Sequence, residues 1–397
     1  MPPTPNYAYA TPQSEIGIAL ETTRGTAETP QFWVPVKGPK YDPDLMLIPD
    51  ETLQGTMVQI QDMVPGLRYD KHGWDSFPYL DSFPLLVACE LGSPDTVTAG
   101  AAATTLATAA TAGATSVETA AAVTAGTYIV IGAVGSLETH LVKTATSVSP
   151  YTATLATPLT FNQPSGAAVT SLTSHQFSLL NNAGQGDQPP SATITDFDGE
   201  EWRQLAAAQI DELTIKGNAT GLVEYTCSWL ANPATNPTPP TVSFTDTQAV
   251  PGWSSFVSIG GTLLDTAEEW EIDLKRNTKP VPALTGTQEY YMYFADTLEC
   301  TGKVTFIEQS GAPQLTEYLA GTRQSLDITV NDISSGFALN IHSTNSIWKT
   351  GSIDRSKEYV SVPMEVQLLP SATDATAGGK SPLSITVANA TTTAVWS

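Results

Sequence analysis

The sequence predicts a mainly β protein: an antiparallel β-sandwich or flattened barrel with one flanking helix and an inserted small β-domain. Three observations predict it. Apolar and polar residues alternate with period two through the C-terminal half, which is the pattern of sheets wet on one face. Only 14% of the 397 residues are charged, against roughly 25% in an average protein, and Thr, Ser, Ala, Gly and Pro fill the gap. Between Val97 and His175, 37 of 79 residues are Ala or Thr, and this stretch carries a charge of −1 out of the chain's −23.

Residues 1–14 are Pro-rich and polar, so a flexible N-terminal arm is expected there. From Glu15 to about Asp75 short apolar runs mix with turn residues, which reads as strands and long loops. A helix is predicted over Phe83–Leu91. Asp81 or Ser82 would cap it, Pro84 suits a first turn, and Gly92 suits the stop. The Ala/Thr-rich block at 97–175 holds apolar runs at 127–132 and 138–143 that look like paired strands. Shorter candidates lie at 153–155 and 167–169, while 97–115 could be linker. The larger unit is then 15–96 with 176–397.

Beyond His175 the alternation is plain. Leu213 and Ile215 alternate with Glu212, Thr214 and Lys216. Val223, Tyr225, Cys227 and Trp229 alternate with Glu224, Thr226 and Ser228. Asn218-Ala219-Thr220-Gly221 joins the two runs as a hairpin. Trp270, Ile272 and Leu274 alternate with Glu271, Asp273 and Lys275. The runs at 326–330, 337–341, 360–368 and 385–387 repeat the pattern, with Pro363 placing its strand at an edge or a bulge.

Charge narrows the function. Forty acids against 17 bases argue against tight binding to nucleic acid or anionic membrane, because the only dense basic cluster is Lys275, Arg276 and Lys279. The first residues show no signal-peptide pattern, and no stretch of about 18 apolar residues exists. Cys89, Cys227 and Cys300 are far apart and read as buried thiols in a reducing compartment. Catalytic motifs are absent: no nucleophile elbow, phosphate loop or zinc helix. His72, His140, His175 and His342 are scattered and read as surface or loop residues. Asp196-Phe197-Asp198-Gly199-Glu200-Glu201 opens like a calcium loop, but the later ligands do not follow. No enzyme, cofactor or metal is expected. Trp33, Trp74, Trp202, Trp229, Trp253 and Trp270 could make a sugar platform, although most sit in core-like alternation.

Two stretches carry a resemblance. The first is Glu15-Ile16-Gly17-Ile18-Ala19-Leu20-Glu21-Thr22-Thr23-Arg24-Gly25-Thr26-Ala27 with Phe32–Val36, Leu53–Met57 and Val64–Tyr69. The second runs from Phe177–Asn182 through Gln188–Ser191 and Thr195–Gly199 to Gln209–Leu213 and Gly221–Tyr225. Together they resemble the major tail-tube subunits of long-tailed, siphovirus-like phages, over about residues 15–95 and 175–370. The Ala/Thr-rich insert departs from the plain family pattern.

The resemblance implies a structural virion protein of the tail, assembled in the host cytoplasm. It implies hexameric rings stacked into a tube that conducts double-stranded DNA during ejection, with tape-measure, tail-terminator and distal tail proteins as partners. Strand counting agrees: an aqueous pore takes some 16–18 strands, more than one chain can devote to it, whereas six chains giving about four each suffice. The wet faces of the central strands, Glu212, Thr214, Lys216, Glu224, Thr226, Ser228, Glu271, Asp273 and Lys275, are expected to line the lumen. Tyr7 and Tyr9 in the arm, with Tyr41, Met46 and Met57 in the loop at 41–63, are expected at ring–ring contacts. A carbohydrate-binding or adhesive surface β-protein and a phage-associated hydrolase are the alternatives.

Overall fold

A computed structural model describes residues 13–100, 102–181, 186, 188–309 and 313–396. The chain is mainly β, and its antiparallel strands curve into a half-barrel. One long ladder runs through Val36–Asp50, Asp62–Ser76, Glu224–Ala231, Trp202–Asn218, Ala267–Lys275, Glu299–Ile307, Ser361–Leu368 and Ala338–Gly351. The last of these also pairs with Arg323–Asn331 and Ser384–Asn389, carrying the ladder into a second layer. The alternating apolar residues of both layers meet in one core that includes Trp74, Leu213, Tyr225, Trp229, Ile272, Ile328, Val366 and Val387.

The long strand Trp202–Asn218 changes partners half-way. Its first half pairs with Ala192–Phe197, its second with Glu224–Ala231 and Ala267–Lys275. The change falls at Ala207, whose φ of 53° is left-handed although it is not a glycine. The buried Glu21 carboxylate holds this bulge: it accepts hydrogen bonds from the Ala207 N–H (2.7 Å), the Ser191 hydroxyl (2.6 Å), the Thr193 hydroxyl (3.0 Å) and the Gly25 N–H (2.7 Å).

The expected helix is present as α1 (Phe83–Leu91), ending at a left-handed Gly92. All nine residues are buried, as an apolar-all-round helix requires. Its start differs from expectation. Ser82 stands at the cap position without a side-chain capping bond, and Asp81 instead accepts bonds from Thr245 and Thr247. At its other end Arg276, 2% exposed, donates to the carbonyls of Glu90 (2.9 Å) and Leu91 (3.2 Å), satisfying terminal acceptors where the helix dipole is negative. Burial pushes the Glu90 carboxyl up to about 8, so it is mostly neutral at pH 7. A second helix, α2 (Gln314–Ala320), joins the one expected; it sits between Pro313 and a left-handed Gly321.

Two further expectations are corrected. The histidines are not loop residues. His72, His140 and His175 are buried, and His342 is half-buried. Each pairs with a carboxylate: Asp196 (3.0 Å), Glu138 (3.2 Å), Asp95 (2.6 Å) and Asp327 (2.5 Å), respectively. Scatter in sequence hid this, because the partners come from other strands or from two residues away. The segment at 41–63 is not one long loop. Two 15-residue strands, Val36–Asp50 and Asp62–Ser76, pair out to Asp50 with Asp62. Pro43, Pro49 and Pro65 are accommodated because, from Asp70 outward, the hairpin has no further ladder on either side, and Pro39 because it sits in a register shift of the outer strand. Pro363 lies in a strand laddered on both sides, just past the point where its pairing with Ala338–Gly351 shifts register.

Between Thr96–Thr98 and Thr173–Ser178 the chain builds a second sheet of six strands, ordered Ala103–Thr105, Ala168–Ser171, Tyr128–Ile131, Glu138–Ala145, Tyr151–Leu155 and Ser116–Thr119. A bridge from Leu106 to Thr119 closes the order on itself. The interior is its own apolar cluster, including Ile129, Ile131, Val142, Leu155 and Val169. It meets the larger sheets where Tyr128 packs with Ala338 and Ala388, and where the Thr139 hydroxyl donates to the Gly336 carbonyl.

Candidate channel and assembly surfaces

The central ladder has one apolar and one wet face, set by strand alternation. Register aligns the wet residues into rows across strands. Ser228, Glu212, Lys275 and Glu299 form one; Asp75, Thr226, Thr214, Asp273 and Thr301 form the next; Glu224, Lys216, Glu271, Lys303 and Glu365 form a third. The nine residues named from sequence therefore lie on one continuous surface. The same surface includes Lys37, Asp75, Glu269, Glu299, Lys303 and Glu365, which the sequence alone did not assign to it: Glu269 and Glu365 lie on recognised strands, and the others on strands the alternation had not marked.

The electrostatics follow from this register. Four of the surface's lysines have a carboxylate beside them: Lys37–Glu224 (2.7 Å), Lys303–Glu269 (3.5 Å), Lys216–Glu224 (3.9 Å) and Lys275–Glu212 (4.0 Å). Lys40, which extends the first row opposite Gly73, has no ion pair among the described residues. Lys37 also sits 4.0 Å over the Phe77 ring. Hydroxyls serve further acids, Thr226 donating to Asp75 (2.6 Å) and Thr214 to Asp273 (2.7 Å). Burial and the neighbouring Asp273 raise the Glu271 carboxyl above its ordinary value. These half-exposed pairs add little stability each. Their consequence is chemical: these four lysines are neutralised in place, and carboxylates remain in excess.

The second surface is the far end of the hairpin Val36–Asp50/Asp62–Ser76. Only Asp70–Ser76 pairs onward with Glu224–Ala231, and Gly66 and Arg68 touch the segment at Gln288–Glu289, so the part beyond Gly66 stands as a two-stranded ribbon. It exposes Leu45, Met46, Leu47, Ile48, Met63 and Val64, and its tip exposes Leu53 and Met57 fully. Such a ribbon is marginal alone, and an apolar surface of this extent marks a contact site. Its base is anchored. The buried Asp70 accepts from the Tyr41 hydroxyl (2.6 Å), the Arg68 guanidinium (3.2 Å) and the Ala234 N–H (2.8 Å). Tyr41 thus bonds within its own subunit, whereas Met46 and Met57 are free at the surface. Tyr7 and Tyr9 lie outside the described residues.

No group of three metal-ligating side chains occurs among the described residues. The acidic turn is filled from within: Asp198 accepts the N–H groups of Glu200 and Glu201 (both 2.9 Å) and pairs with Arg203 (2.5 Å). Cys89, Cys227 and Cys300 are free and buried, with their thiols pushed up by desolvation.

A search of curated proteins returns no match. The family model described as phage tail tube protein matches residues 11–388. The chain belongs to the phage tail tube protein family. As a tail tube protein it is a structural component of the virion tail, assembling there with other tail proteins. The match runs through the Ala/Thr-rich insert as well as both flanking segments.

Proposed function

We propose that this tail tube protein forms hexameric rings that stack into a tube, with the paired-charge surface lining a lumen through which DNA passes. The observation that carries this reading is the in-place neutralisation of the four lysines on the central strands and their neighbours, Lys37, Lys216, Lys275 and Lys303, beneath an excess of carboxylates. Duplex DNA presents about one negative charge per 1.7 Å of axis. A wall of free cations would hold it. A wall of hydroxyls, spent lysines and surplus carboxylates leaves it hydrated and mobile. The lumen residues are Glu212, Thr214, Lys216, Glu224, Thr226, Ser228, Glu271, Asp273 and Lys275. Met46, Met57 and the rest of the apolar ribbon contact the next ring, Tyr41 fixes the ribbon's base, and the arm with Tyr7 and Tyr9 adds to that contact. Tape-measure, tail-terminator and distal tail proteins are the proposed partners. The role is non-enzymatic.

The test is the double substitution Glu224→Lys and Glu271→Lys. It removes the carboxylate that holds Lys37 and Lys216 and adds two cations to the same row. Tubes should still form, while DNA ejection slows by about tenfold or more at low salt and recovers as salt screens the wall. Unchanged ejection from virions carrying both substitutions would place the surface outside the lumen.

The insert is proposed to fold as a unit dispensable for assembly. Thr98 pairs directly with Ser174, so the chain leaves and re-enters on neighbouring antiparallel strands that a tight turn can join. Replacing residues 99–173 with a short Gly/Asn turn should leave a folded, polymerising protein. Its expected cost is about 1–2 kcal/mol, from exposing the surface under Tyr128. Loss of polymer, seen by electron microscopy, would make the insert part of the assembly contact.

A further inference from the structure

The insert does more than touch the larger sheets at Tyr128: beside that contact it roofs a cleft of about 590 Å3, within the ~300–1,000 Å3 range of small-molecule sites. The floor is the outer face of the second layer, and register orders it into two rows. Phe256, Thr329, Asn340, Thr386 and Gln176 follow one another across five strands, and Ser258, Asp327, His342 and Ser384 run alongside. Alternate residues on these strands, such as Val257, Ile328, Ile341 and Ile385, are buried in the core, so the rows face the cleft. The roof is supplied by the insert through Tyr128, Leu141, Lys143 and Thr157.

The chemistry of the lining is specific. It is dominated by hydroxyls and amides, with one aromatic ring, Phe256, left partly open on the floor. Some of these groups are already used: Asn340 donates to Thr329 (2.9 Å), and Asp327 holds the His342 ring (2.5 Å). The side chains of Gln176, Ser258 and Ser325 bond nothing among the described residues, leaving donors and acceptors directed at the cleft. An apolar ligand would strip water from these groups without replacing it. An anion would meet Asp327 and the field of a chain with net charge −23, while a cation would meet Lys143 and find Asp327, the one carboxylate of the lining, already held by the His342 ring.

We propose that the cleft between the insert and the second layer is a binding site for a neutral saccharide, whose hydroxyls bond the two polar rows while the C–H face of a ring lies on Phe256. The inference is independent of the channel reading, because the cleft lies on other strands and needs no second copy of the chain. It gives the insert a role that tube formation does not require.

The test is a calorimetric titration of the full chain with three neutral trisaccharides, maltotriose, cellotriose and triacetylchitotriose, and with trigalacturonate as an anionic control. The expected result is saturable binding of at least one neutral trisaccharide with Kd of about 1 mM or tighter. Two variants should weaken it by about tenfold or more: Ser258→Trp, which fills the cleft, and Phe256→Ala, which removes the stacking face. Circular dichroism establishes that each variant is folded, and if Ser258→Trp is not, Phe256→Ala alone decides. Failure of all three neutral trisaccharides to bind, binding of trigalacturonate alone, or undiminished affinity in the folded variants would overturn the proposal.

Discussion

Replacing Arg276 with alanine is expected to destabilise the subunit by about 3–5 kcal/mol. The guanidinium bonds two carbonyls at the end of a fully buried helix, Glu90 at 2.9 Å and Leu91 at 3.2 Å. Water cannot replace it, since Arg276 itself is 2% exposed. Each abandoned buried acceptor costs roughly 1–3 kcal/mol, and the void left by the side chain adds to this. The charge matters as well, because Arg276 is the cation that opposes the burial-driven rise of the Glu90 carboxyl. Arg276→Lys should recover part of the loss, since one ammonium cannot span both carbonyls as the planar fork does. Urea unfolding of unassembled protein measures both. A loss below about 1 kcal/mol for the alanine variant would mean that the helix end is held by something else.

Substituting serine for Met46, Leu53 and Met57 together is expected to abolish polymerisation while leaving the fold intact. All three are at least half exposed in the isolated subunit, so they contribute little to its core. Burying side chains of this size in a ring contact contributes about 1.5–3 kcal/mol each. Losing three raises the concentration needed for polymer by about a thousandfold or more. Sedimentation and negative-stain microscopy check assembly, and circular dichroism checks folding. Polymer formed at the wild-type concentration would remove the ribbon from the proposed contact.

What the sequence displayed and what it concealed divide along a physical line. Period-two runs such as Val223–Trp229 and Trp270–Leu274 are local, and their buried faces are those the alternation marks. Helix α1 carried its own stop at Gly92, and α2 carried Pro313 and Gly321, but at seven residues its signal was too short to stand out. Pairings between distant segments were not legible. The Glu21 carboxylate that holds Ala207, the Asp95 that meets His175 and the Asp196 that meets His72 each lie 80 or more residues from their partners. Arg276 shows the converse failure. Beside Lys275 and Lys279 it read as part of a basic patch, yet a left-handed Asn277 follows it where the chain turns, and its guanidinium points into the core. The wet surface was legible residue by residue. Its charge pairing was not, because that depends on which strands lie side by side.

The central claim is that the paired-charge surface lines a channel closed by six copies of the chain, and a cryo-microscopy reconstruction of the assembled polymer tests it most directly. The account predicts sixfold rings with Glu212, Thr214, Lys216, Glu224, Thr226, Ser228, Glu271, Asp273 and Lys275 facing the axis, and the ribbon bearing Met46 and Met57 seated in the neighbouring ring. A polymer whose axis is lined by other strands, with these residues on its outer wall, would contradict it.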